Sequence, residues 1–313
     1  MADIVARQLR SLRDAVAGRS WPERLPARLE EHWRLLDTAW STDPDAVHKV
    51  LAYPTVSGWA EQCLRRLGQD PAGNGNWPVS EAGAGAMSEA GAGAGAATGG
   101  TTGGGEDSAL ALDLEHLAAV AACAALRAGR PFSVELLPRA GVLALPALGA
   151  VAAPEGHRVL VTGTTDIVRI HLPRPGGQVI VLRRGWRPGV WRSADPSWLP
   201  LHPLPGARAV LDDLDPFRAP ANGTPAGRLQ PARRLRWRKV WGEATALLER
   251  TDPERSAHVA EHIRCVIPLE EGPTTAGPSG AVFATLPASP AHLLALLRGS
   301  PAPKRDRAPV QPA

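Results

Sequence analysis

The run Phe132-Ser133-Val134-Glu135-Leu136-Leu137, followed by Val142 to Leu145, His157 to Thr162, Asp166 to Leu172 and Gln178 to Leu182, decides the fold class. These are short β-prone stretches, and Pro or Gly separates each from the next, as in strands joined by turns. Pro175-Gly176-Gly177 falls between the last two as a hairpin turn. Gly163, in Val161-Thr162-Gly163-Thr164-Thr165-Asp166, reads as a turn too. It has no GxGxxG or Gly-Lys-Ser/Thr around it, so a phosphate-cradling loop is not indicated. Helical patterns flank these strands. The expectation is an α+β fold: helical N-terminal and C-terminal parts around a small antiparallel sheet, with a disordered Gly/Ala-rich insert.

Working toward the N-terminus, Leu110 to Ala128 reads as one Ala-rich helix ending at Gly129. Before it, residues 81–105 hold ten Gly and eight Ala. With nothing to bury and much backbone entropy to lose, 68–107 is expected to be a flexible linker. Residues 1–67 form a helical part. Its first helix is marked by Ile4, Leu9, Leu12 and Val16, and its second by Leu25, Leu29, Trp33, Leu36 and Trp40. Thr42 or Asp43 caps the third, with Pro44 in its first turn, and Pro54 interrupts it before Cys63, Leu64 and Leu67.

Toward the C-terminus, Arg183 to Asn222 reads as loops wrapped on the sheet. The α+β part covers 108–298, with strands in 131–182 and helices in 232–263 and 289–298. Leu235, Val240, Leu247 and Leu248 mark the first of these helices, and Leu235 and Trp241 are expected to face the core. Thr251-Asp252-Pro253-Glu254 has the spacing of a capping box. Residues 299–313 are a disordered Pro/Arg-rich tail.

Composition narrows the classes without choosing a function. The 313 residues include 32 Gly and 31 Pro without a G-X-Y period, and 44% are apolar, so collagen-like and wholly disordered chains are excluded. Net charge is +4, and all basic residues but Lys49, Lys239 and Lys304 are Arg. So small and dispersed an excess is weak support for nucleic acid. Cys63, Cys123 and Cys265 are far apart and form no CxxC pair, as buried thiols in a reducing compartment do. The first twenty residues carry charges at helical spacing and are not a signal peptide. The location expected is cytoplasmic, with no membrane partner.

Two local strings carry chemistry. His258-Val259-Ala260-Glu261-His262 places two imidazoles one turn apart with a carboxylate between, the H-x-x-E-H spacing of a zinc hydrolase. No third ligand follows at a suitable distance, and the neighbouring Arg255 and Arg264 suit a solvated face. Arg233-Arg234-Leu235-Arg236-Trp237-Arg238-Lys239 is a basic run with an interleaved aromatic, as nucleic-acid binders use. A solvated helix face ranks ahead of that reading as well.

Tyr53-Pro54-Thr55-Val56-Ser57-Gly58-Trp59-Ala60 resembles the Pro-x-Val-x-x-Trp-Ala block of HExxH-domain peptide-modification proteins of actinobacteria. Arg236 to Leu248, the Thr-Asp-Pro corner, Ile263 to Leu269 and Ala281 to Pro287 resemble later blocks of that family, in the same order. The resemblance implies work beside radical-SAM maturases of ribosomal precursor peptides. It also implies a helix bearing His-Glu-x-x-His, which binds zinc. Carried across, that motif falls on Gly299, Ser300 and Pro303, none of which is a ligand or base. The expectation is therefore a truncated or non-catalytic relative with no catalytic, cofactor or metal residues. Its partners would be a precursor peptide or a maturase. A zinc hydrolase using His258, Glu261 and His262, and a nucleic-acid accessory protein using 233–239, are the alternatives.

Overall fold

The computed structural model describes residues 2–19, 21, 24–68, 103–174, 176–185, 190–206, 208–218, 223–277 and 280–299. Most of the 68–107 linker, and the tail from residue 300 with the Ser300 and Pro303 positions, lie outside the described residues.

Four helices open the chain: α1 (Ala2–Ala17), α2 (Leu25–Thr42), α3 (Pro44–Leu51) and α4 (Pro54–Arg66). In α1 the buried stripe is Val5, Leu9, Leu12 and Val16, while Ile4 is 48% exposed and not part of it. At the Thr42-Asp43-Pro44 corner the cap is Asp43, whose carboxylate accepts the Ala46 N–H at 2.9 Å. The second Thr-Asp-Pro corner repeats this chemistry. Asp252 accepts from Arg255 N at 3.0 Å, and Thr251 donates back to the Leu247 carbonyl, so the expected Thr251 capping box does not form. The reason is conformational: each Thr is still the last residue of the preceding helix, while each Asp is extended and free to cap.

The single helix expected over 110–128 is two, α5 (Gly103–Leu114) and α6 (Leu117–Arg127), and α5 begins inside the stretch assigned to the linker. All of Leu117 to Leu126 is buried, because its many Ala residues let neighbours approach from every side. Helices α2 and α3 pack on it, and so does the sheet. Ser108–Arg127 is long and apolar enough by composition to cross a membrane, and 78% of that stretch is buried within this protein.

The α+β class holds, but the strands expected over 131–182 as one sheet divide between two of the three sheets among the described residues, and the larger of those two is antiparallel throughout. It comprises β1 (Phe132–Leu136), β4 (Val159–Gly163), β5 (Ile167–His171), β6 (Val179–Arg184) and β7 (Trp191–Arg192), in that order and all antiparallel. Alternating burial in β1 turns Phe132, Val134 and Leu136 onto the core. Gly163 ends β4 opposite Phe132, where any side chain would overlap the Phe132 ring. The β4–β5 connection is the expected hairpin, closed by Thr164 N to the Ile167 carbonyl at 2.8 Å. A three-stranded sheet joins β2 (Val142–Leu145), β3 (Gly149–Ala152) and β8 (Trp198–Pro200).

The third sheet is mixed and was not expected. It contains β9 (His202–Pro203), β10 (Val210–Leu211), β11 (Thr224–Pro225), β12 (Cys265–Glu271), β13 (Thr275–Ala276) and β14 (Ala281–Thr285). Strands β10 and β14 both run parallel to β12. Buried on both faces, β12 and β14 read as continuous apolar runs. Cys265, Ile267, Leu269, Ala281 and Phe283 join the core of α1–α6. Val266, Val282 and Ala284 turn the other way, into a second core under α7 (Pro231–Thr251), α8 (Pro253–His262) and α9 (Pro290–Gly299). The mixed sheet is thus a partition between two cores. On α7 the buried face is Trp237, Val240, Trp241, Ala244 and Leu248. Leu235 is 66% exposed, contrary to expectation, because the larger Trp237 sets the helix phase.

Candidate functional site

The joint between α5 and α6 is polar inside an apolar helix pair. Asp113 is fully buried, and its carboxylate is paired with Arg66 of α4 and with Arg139 of the β1–β2 connection. Gln62 adds a hydrogen bond at 3.0 Å. Burial pushes the Asp113 pKa up, and the attraction of Arg139 and Arg66 does not fully offset it. Glu115 accepts from Arg28 Nε at 3.1 Å and from both terminal nitrogens of Arg158 at 3.0 and 2.8 Å. Burial raises its pKa, but the bonds from Arg158 and Arg28 outweigh that and hold it below the usual carboxylate range.

Beside the joint is a small cleft of about 10 Å³, room for about one water, lined by Glu115, His116, Leu136, Arg139, Leu143 and Pro216 among others. The His116 ring packs edge-on to Trp59 and tilted against Phe217, with centroids 5.5 and 4.6 Å away. Its Nε2 is shut from solvent and has no hydrogen-bond partner among the described residues. Desolvation, with the positive charge of Arg139 added, drives the His116 pKa down to about 3. The Arg139 guanidinium lies 5.4 Å from the centroid of the Phe217 ring.

Pro216 and Phe217 belong to the loop that follows β10, and the start of α4 holds that loop in place. Tyr53 donates its hydroxyl to Asp212 at 2.6 Å, and Thr55 donates to Asp215 at 2.6 Å. Asp212 also accepts the N–H groups of Leu214 and Asp215, and Asp215 accepts that of Phe217 at 2.8 Å. Burial first, then the nearby Asp215 charge, raises the Asp212 pKa to about 6. Asp215 is also raised by burial. A Cβ on Gly58 would stand 3.3 Å from the Phe217 carbonyl, so the small residue permits this close approach. Trp59 donates Nε1–H to the Asp113 carbonyl at 2.6 Å.

The residues singled out from sequence lie elsewhere. His258, Glu261 and His262 are on α8, where the two imidazoles stack with centroids 4.0 Å apart and planes 20° apart. His262 Nδ1 faces the His258 carbonyl at 2.9 Å, and its Glu261 contact is 4.0 Å. Burial, then His262 and Arg255, lowers the His258 pKa. Among the described residues no group of three or more His, Cys, Asp or Glu is close enough to share a metal. Arg233, Arg236, Arg238 and Lys239 are exposed on α7, with Arg234 half-buried. His202, near Arg228, Arg234 and Arg238, is pushed down to about 4 by burial and then by those charges. All three cysteines are buried and free, and burial raises each thiol above its usual pKa.

Sequence reading missed Asp113, Glu115, His116 and Arg139, and also Asp212 and Asp215. The signal for the first three was local: two acids and a histidine within four positions of an otherwise apolar stretch. Asp212-Asp213-Leu214-Asp215 was likewise an acidic cluster directly after an apolar pair. Arg139 carried no local signal, since only the fold brings it to Asp113. Compared with family models, with curated proteins and with solved structures, the chain matches none.

Proposed function

We propose that the chain is a non-catalytic relative of the HExxH-domain peptide-modification proteins that binds a precursor peptide or a partner maturase. The cleft beside the α5–α6 joint is the point of contact in this reading. The observation that carries it is that the resembling block, Tyr53 to Ala60, bonds to the segments that flank this cleft. Tyr53 and Thr55 bond to Asp212 and Asp215 in the segment leading to Pro216, and Trp59 bonds to the Asp113 carbonyl just before Glu115.

The electrostatics favour binding over turnover at this place. A general base works best with a pKa near the working pH. His116, at about 3, is too weak a base at neutral pH, and the oxygens of Glu115 are held by Arg28 and Arg158. Side chains locked by such pairs suit a rigid, preorganised contact surface.

The test is calorimetric titration with a precursor peptide or with the maturase, followed by mass analysis of the peptide. Saturable binding that leaves the peptide mass unchanged supports the reading. A changed mass, or no binding to either, overturns it. Zinc analysis separates it from a hydrolase on His258, Glu261 and His262. One equivalent of zinc that disappears in His258→Ala would replace the binding reading by that hydrolase.

A further inference from the structure

We propose that the outer face of the five-stranded sheet docks an acidic amphipathic helix of a partner protein, with carboxylates and aliphatic side chains on one side. This face is turned away from the core and from the cleft, so the proposal does not rest on the binding reading above.

Strand register defines the face. Leu160 of β4 is opposite His171 of β5, which is opposite Val179 of β6, and such cross-strand partners turn to the same side. Leu160 is 39% and Val179 42% exposed, whereas the adjacent Val161 and Ile180 are fully buried on the other side. Val181, two positions on from Val179, adds a half-buried side chain. The sheet thus shows an aliphatic strip on its open side.

Charge indicates what would cover it. Arg183 of β6 is directly opposite Arg192 of β7, and Arg169 is on β5, two positions from Ile167, which is Arg183's partner there. All three are exposed, and none makes an ion pair among the described residues. The acids nearby are placed elsewhere. Asp166 faces Arg184 at 3.7 Å, and Glu135 is on β1, beyond β4. Like charges directly opposite weaken a sheet, and an acidic ligand removes that repulsion.

Spacing suits a helix. From β5 to β7 is about 10 Å at the usual strand separation, close to the rise between helical residues seven apart. Carboxylates along one helix face can reach all three guanidinium groups while aliphatic side chains further along cover Leu160 and Val179. Other occupants fit less well. The outer side of β4–β7 has no Phe, Tyr or Trp among the described residues, so single-stranded bases would have nothing to stack on. A second copy packed face to face would set arginine against arginine. The chain's own end, with Lys304, Arg305 and Arg307 against Asp306, has the wrong sign.

The test uses the full-length protein and fluorescence anisotropy of a labelled Ala-based helical peptide of about 18 residues, with Leu and Glu on one face. The same peptide with Lys for Glu, and a uridine oligomer of equal length, are the controls. The Glu peptide should bind saturably and more weakly as salt rises, and neither control should bind. Arg169→Gln with Arg183→Gln should weaken it about fivefold, as loss of two exposed ion pairs. Arg192→Glu gives Arg183 an opposite charge across the strands, so the free protein should melt no lower than wild type while peptide binding weakens. No binding of the Glu peptide, equal binding of the Lys peptide, or full affinity in the double Gln variant overturns the proposal. RNA binding that the double Gln variant abolishes, or a dimer in sedimentation that Leu160→Glu dissociates, overturns it too, since either gives the face another occupant.

Discussion

Tyr53 and Asp212, 159 positions apart, meet in a buried 2.6 Å hydrogen bond that joins the α3–α4 junction to the end of β10, beside the candidate cleft. Thr55 and Asp215 form a second bond of the same length beside it. The pair sits where the large core of α1–α6 reaches the mixed sheet. Through it, a segment near the N-terminus controls the position of Phe217, and Phe217 packs on His116.

Tyr53→Phe removes the hydroxyl and leaves one oxygen of Asp212 buried without that partner. Losing a buried partner costs about 1–3 kcal/mol. Urea unfolding of the variant should show a loss in that range, with the m-value unchanged.

Asp212 gives the fold an unusual pH term. Its folded pKa, about 6, lies above the ordinary carboxylate value of 3.8, so the folded state favours the protonated form. That contribution is complete below about pH 4 and is lost as pH rises through 6. Asp215, Tyr53, Cys265 and Arg228 are the titratable neighbours that share in it. Asp212→Asn removes the ionisation. Relative to wild type, it should gain on the order of 2–3 kcal/mol between pH 4 and pH 7. Parallel denaturant melts across that range measure the difference.

Glu115 works in the opposite direction. Its lowered folded pKa supplies stability that is present above the ordinary carboxylate range and lost as pH falls. Glu115→Gln leaves Arg28 and Arg158 without their shared anion. Both guanidinium side chains are 28% exposed, which limits the penalty to about 2–3 kcal/mol at pH 7. The deficit should shrink on acidification, as the wild-type carboxylate itself becomes neutral.

Gly163→Ala places a methyl group against the Phe132 ring, between paired strands that cannot easily separate. Overpacking of this kind costs about 1–3 kcal/mol. Thermal melts should show a lower midpoint, and Phe132→Leu in the same chain should restore part of it.

Helix α7 offers a matched pair. Trp237→Ala should destabilise by about 3–5 kcal/mol, since it empties a site in the second core. Leu235→Lys should stay within about 0.5 kcal/mol, because Leu235 is exposed. Equal effects would contradict the helix phase described here.

Much of the fold was legible where the signal was local. The Asp43 corner, the Pro54 break and the β4–β5 hairpin follow from side chains a few residues apart. At the second corner, by contrast, the cap is Asp252 and not the Thr251 of the expected capping box. The mixed sheet was not legible as a sheet. Strands β12 and β14 are buried on both faces and lack alternation, and β9, β10, β11 and β13 have two residues each. The α7 phase was misjudged because Leu235 and Trp237 are both apolar, and only packing decides which turns inward. At the candidate site, Asp113, Glu115 and His116 were missed although they interrupt an apolar stretch, and their partners Arg66, Arg139, Arg28 and Arg158 come from four separate elements. Sequence spacing holds no record of such a meeting.

The central claim is that a peptide or partner engages the surface around the α5–α6 joint, whose flanking segments are held by Tyr53 to Ala60. Hydrogen exchange with and without a saturating precursor peptide or maturase tests it most directly. The account predicts added protection at 113–119, 136–144 and 212–218, with little change on α7 and α8. Protection confined to 233–239 or to 258–262, with the cleft segments unchanged, would contradict it.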